Sequence, residues 1–75
     1  MEGFWHSCLG RFQQELPHQQ FTTWIKPLRV ENDGDALRIF APNRFVMQWI
    51  KDRFLGRIEV MGEEYFSRPV NVVLM

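Results

Sequence analysis

One cysteine, Cys8, stands among the 75 residues, so no internal disulfide can form. No Cys/His cluster offers the four ligands of a structural zinc site either. A lone thiol fits a reducing compartment such as the cytoplasm. No apolar run approaches the roughly 20 residues of a membrane-spanning helix. The N-terminus carries Glu2 and His6 among its apolar residues, which is not the pattern of a signal peptide. Charge of one sign is missing too. Nine Lys and Arg balance nine Asp and Glu, which removes the excess positive charge of a strong phosphate binder. Local basic patches survive overall neutrality, so weak binding of single-stranded nucleic acid stays open as an alternative function.

Catalytic motifs are absent as well. There is no GxxxxGK[ST] loop to cradle phosphates, no GxSxG elbow and no HExxH pair. His6 and His18 stand twelve residues apart with no obvious carboxylate or nucleophile beside them, the pattern of solvated surface histidines. Glu63 and Glu64 are neighbours. On a helix they point about 100° apart and cannot straddle one substrate bond as a glycosidase pair does. The sequence therefore predicts no catalytic site, no cofactor and no metal.

Aromatic residues, in contrast, are plentiful. Three Trp and seven Phe lie in a chain that is 45% hydrophobic, which supplies the apolar area of a folded globule. The length predicts one domain over residues 1–75. A domain of this size buries only about 60% of the surface its unfolded chain exposes, which leaves little room for an internal cavity.

Periodicity orders the chain. Trp5, Cys8, Leu9, Phe12 and Leu16 recur at helical spacing and predict a helix over Phe4–Leu16, ended by Pro17. Phe21, Trp24, Ile25 and Leu28 predict a second helix over His18–Ile25, stopped by Pro27. Leu28–Glu31 and Ala36–Ala41 read as strands joined through Asn32-Asp33-Gly34-Asp35, where Asp-Gly supplies positive φ cheaply. Asn43 is placed to cap a long helix from Arg44 to Tyr65. Gly56 and Gly62 each weaken that helix by roughly 1 kcal/mol against Ala, so its end or loosening is expected near Gly62. Val70–Leu74, β-branched and following Pro69, predicts a third strand. The expected class is α+β, in the order α-α-β-β-α-β, with a three-stranded sheet packed on helices. That order is the one of a small KH-like module, yet no GxxG loop is present to clamp a nucleic-acid backbone. A chain that stops just after its last strand is expected to be an excised domain.

Direction of side chains singles out two aromatic rings. At about 100° per residue, Val46, Ile50, Phe54, Met61 and Tyr65 form one stripe of the long helix, with Ile58 at its edge. That stripe is expected on the sheet. Phe45 lies on the order of 150° from the stripe's centre, and Trp49 roughly 40° from Phe45. Two readings of Phe45 follow: a ring covered by the first two helices, or an exposed anchor for a partner. Trp5 has two readings as well. It lies on the stripe of the first helix, which favours core packing, and in its first turn, where a ring projecting past the domain edge would serve self-association. Cys8, on the same stripe, is expected to behave as a small apolar residue. Arg44 and Lys51 share a face with Asp52 and Glu59 close by, which describes a solvated mixed-charge surface.

The stretch from Trp5 to about Ile58 resembles the N-terminal domain of the bacterial replication initiator DnaA. The resemblance is carried by Trp5 with Cys8-Leu9, by Glu15-Leu16-Pro17, and by Phe21-x-x-Trp24-Ile25-x-Pro27-Leu28. Its most specific part is Ala41-Pro42-Asn43-Arg44-Phe45-Val46 followed by Trp49 and Ile50. The resemblance implies a KH-like α+β protein-interaction domain that catalyses nothing. It implies self-association of DnaA at the origin, and help in recruiting the replicative helicase DnaB. In some bacteria it implies regulators of the DiaA type or like HU. ATPase and duplex-binding domains lie further along the full-length members of the family. By alignment, Trp5 takes the self-association role, and Phe45 the helicase and regulator contact. Gln20 falls at a position of the same surface that is acidic in the best-known member; here it is a neutral amide. Asn43 adjoins Phe45 and frames that patch, besides its capping role.

Overall fold

The computed structural model describes residues 2–33 and 36–75. It is an α+β domain: α1 (Glu2–Glu15), α2 (His18–Gln20), a π-helical turn (Phe21–Ile25), β1 (Arg29–Asp33), β2 (Ala36–Phe40), α3 (Arg44–Arg53), α4 (Leu55–Phe66) and β3 (Asn71–Leu74). The strands line up as β1-β2-β3, with β1 antiparallel and β3 parallel to β2. Leu37 pairs with Asn32 and Val72, and Ile39 with Val30 and Leu74. A parallel pair needs a long crossover, and α3 with α4 supplies it. The expected hairpin is present, one residue later at its start than the sequence suggested. Gly34 and Asp35 of its turn lie outside the described residues.

Along β2, Leu37 and Ile39 are buried while Arg38 is exposed, the period-two signature of a sheet with one face on the core. The core that this face meets includes Phe4, Cys8 and Phe12 from α1, Ile25 from the π turn, Ile50 from α3 and Ile58 from α4, all almost completely buried. Phe12 meets Phe54 edge to face, with centroids 5.6 Å apart. Arg57 lies over the Phe12 ring and grips both carboxylate oxygens of Glu15. Arg11 pairs with Glu64 at 3.6 Å. These two bridges tie α1 alongside α4. Partly exposed ion pairs hold orientation more than they stabilise.

Two expectations need correction. The second helix is not α-helical through Ile25: Lys26 N–H donates to the Phe21 carbonyl at 2.9 Å, an i to i+5 bond. The long helix is not continuous either, and it does not loosen at Gly62. It breaks at Phe54, whose backbone stands at φ −123° and ψ −16°. Helical bonds still bracket the break, Phe54 N–H to Ile50 and Ile58 N–H to Phe54, each 2.9 Å. The cause is tertiary, since the Phe54 side chain is held in the core against Phe12. The break rotates α4 relative to a straight extension of α3. Ile58, expected at the stripe's edge, becomes fully buried, and Tyr65, expected on the stripe, is 51% exposed. Gly62 is buried, and a methyl group there would meet Val70 and Leu37 at ordinary contact distance, 3.5–3.6 Å. Helix α4 ends at Ser67, in the left-handed region at φ 58°.

Burial pushes the Cys8 thiol up to about 11 from its ordinary 9.0, with nearby Arg11 opposing the shift. The folded state therefore favours the neutral thiol. That contribution to stability is complete below about pH 9 and is lost as pH rises through about 11. The wild type should lose stability more steeply than Cys8→Ala between those two values in urea titrations. Parallel pH profiles would contradict the burial of the thiol.

Candidate protein-interaction surface

The surface is built from the start of α3. Asn43 takes an extended backbone, and its Oδ1 accepts from the Val46 N–H at 3.0 Å. Its carbonyl accepts from the Met47 N–H at 3.1 Å. The cap fixes the first turn, and burial of Val46 and Ile50 fixes the helix's rotation. Phe45, one residue before Val46, must then face away from the core. It is 79% exposed, so the first two helices do not cover it.

Beside Phe45 lies an open groove floored by Trp24 and Trp49. The two indoles stack with centroids 4.3 Å apart and planes 5° from parallel. Arg53 lies over the Trp49 ring at 4.2 Å. On the same helix, Gln48 Nε2 donates to Asp52 Oδ1 at 3.0 Å. Trp24 reaches this groove from the π turn, whose Phe21 and Ile25 are anchored in the core. Trp24 also borders a second depression with Pro17, Gln20 and Thr23. Gln20, exposed at the end of α2, thus joins the Phe45 groove through one shared side chain. Asn43, two residues ahead of Phe45, is exposed with its oxygen engaged in the cap, and it lines neither depression.

Trp5 stands elsewhere. It belongs to the core at 9% exposure. Its remaining edge borders a shallow groove with His6, Leu9 and the β1 residues Arg29 and Val30. The two proposed surfaces do not share a lining residue. Sequence periodicity missed Trp24 as a surface residue, because its spacing fits a helix stripe. The signal available was its three-residue offset from Phe21 just ahead of Pro27, which does not announce a π turn.

Among the described residues no group of three His, Cys, Asp or Glu side chains is placed to hold a metal ion, and no helix is long and apolar enough to cross a membrane. The groove beside Phe45 is lined by aromatic, amide and guanidinium side chains and by the Asp52 carboxylate.

The family model of the DnaA N-terminal domain matches residues 2–64. The chain belongs to this family. Among curated proteins it is similar to the chromosomal replication initiator protein DnaA of Methylobacillus flagellatus, 60% identical over 99% of this chain. It is 53% identical to that of Dechloromonas aromatica over 100% of the chain, and 55% to that of Nitrosospira multiformis over 95%. The chain spans only 16–17% of the length of these relatives. It corresponds to the N-terminal region of DnaA.

The Trp24–Trp49 stack floors this surface. A double-mutant cycle with Trp24→Ala and Trp49→Ala, read by urea denaturation, should show a coupling of about 1 kcal/mol. Additive effects would mean that the rings do not stack in solution.

Proposed function

We propose that this domain is the protein-interaction module of the replication initiator. It holds DnaA molecules together at the origin and recruits the replicative helicase DnaB, with DiaA-type or HU-like regulators as further partners in some bacteria. The observation that carries this reading is the exposure of Phe45, 79%, at a rigid capped helix start beside a stacked aromatic floor. A large ring held out in water at low conformational cost is an effective binding anchor. Gln20, reached across Trp24, and Asn43 complete the docking surface. The groove at the edge of Trp5 serves self-association.

The domain works without cofactor or catalysis, in the cytoplasm where the chromosome lies. Weak contacts suit the task. Several initiators gathered on one origin raise effective concentration, so modest affinities add up to avidity. Single-strand binding is the rival outcome. It is disfavoured because the chain carries no excess positive charge and no GxxG loop to clamp a nucleic-acid backbone.

Phe45→Ala should change stability by no more than about 0.5 kcal/mol, as expected for an exposed site. It should weaken capture of the helicase's N-terminal region at least tenfold, about 1.4 kcal/mol, in a calorimetric titration. Unchanged capture by a folded variant would remove Phe45 from the interface. Trp5→Ala would empty part of the core at a cost of about 3–5 kcal/mol, so self-association is better tested with Trp5→Phe. Sedimentation should show weaker self-association for this folded variant, and wild-type behaviour would refute the role.

A further inference from the structure

The docking groove is a positive site on a neutral protein. Side chains of α3 advance about 100° per residue, so Arg44 and Arg53 bracket the face that carries Phe45 and Trp49. Both are exposed and border the groove. Among the described residues neither forms an ion pair. Other arginines of the molecule are answered by carboxylates: Arg11 by Glu64, Arg29 by Glu31 and Arg57 by Glu15. Asp52 is the one carboxylate bordering the groove, and Gln48 already donates to it. The adjoining depression across Trp24 is lined by Pro17, Gln19, Gln20 and Thr23, with no charge at all. The first turn of α3 holds no acidic residue, so the positive end of its dipole adds to the same field.

We propose that this groove binds an acidic peptide segment of a partner protein. An aliphatic or aromatic side chain of the segment packs against Phe45 and Trp49, and its neighbouring carboxylates meet Arg44 and Arg53. The proposal deepens the docking function above and rests on it. The division of labour is physical. The apolar anchor supplies most of the binding energy. The guanidinium forks select carboxylates by geometry and speed encounter, and they repel a basic segment. Arg53 is held over Trp49 before any partner arrives, so little side-chain freedom is lost when it engages.

The test is selection of a phage-displayed library of random twelve-residue peptides on the folded domain, with Phe45→Ala as the counter-selection. Binders that depend on Phe45 should carry Asp or Glu within two residues of a Leu, Ile, Phe or Trp. Binding of the strongest peptide should fall at least about tenfold in Arg44→Glu/Arg53→Glu, and weaken from about 0.05 to about 0.5 M salt. Lys51→Glu, a charge reversal outside this groove, should have a smaller effect. Neutral or basic consensus peptides, no Phe45-dependent peptides, or binding indifferent to the double reversal would each overturn the proposal. The helicase titration is read separately. Helicase capture through Phe45 with a neutral peptide consensus sinks the charge proposal alone. An acidic consensus without helicase capture sinks the helicase assignment alone.

Discussion

Rotation of α3 about its own axis governs this structure. Two buried residues, Val46 and Ile50, set that rotation, and the Asn43 cap holds its first turn. Burial of each aliphatic side chain is worth roughly 1.5–3 kcal/mol. Turning the helix by one residue position to bury Phe45 would gain one ring and expose two core residues. It would also draw Ile50 out of the core cluster it shares with Leu37 and Ile39. The exposed Phe45 is thus the consequence of a stronger constraint next to it. Because the helix cannot turn to hide the ring, the ring remains on offer to a partner.

The neighbouring elements make that offer rigid. The π turn anchors Phe21 and Ile25 inward and leaves Trp24 to stack on Trp49. Helix α4 continues from α3 through the Phe54 break, and its bridges to α1 fix the far side of the bundle. A surface built on capped and stacked elements loses little entropy on binding. Such rigidity is what the proposed docking role asks of this surface. Under the proposed function the chemistry of this domain is recognition, with Arg44 and Arg53 set beside the Phe45 anchor.

Much of the fold was legible in the sequence where the cause is local. The alternation of Leu37 and Ile39 with Arg38 marked β2, Asn43 marked the helix start, and the residue-by-residue rotation from Val46 set Phe45 off the buried stripe while leaving open whether the first two helices cover it. The features that escaped have non-local causes. Glycine propensity pointed to Gly62, but the break falls at Phe54, where packing against Phe12 outweighs a local preference. That shift exchanged the fates of Ile58 and Tyr65. Trp24 escaped for a similar reason: its partner Trp49 is 25 residues away, and helical spacing alone assigns it to a stripe. For Trp5 periodicity offered two readings, and the structure puts the ring in the core with a narrow edge at a groove.

The outward setting of Phe45 is the claim on which the account turns, and solvent relaxation measures it directly. A soluble gadolinium chelate added to the isotope-labelled domain should broaden the Phe45 ring protons strongly. The methyl protons of Val46 and Ile50 should be nearly untouched. Protection of the Phe45 ring equal to that of Ile50 would contradict the account.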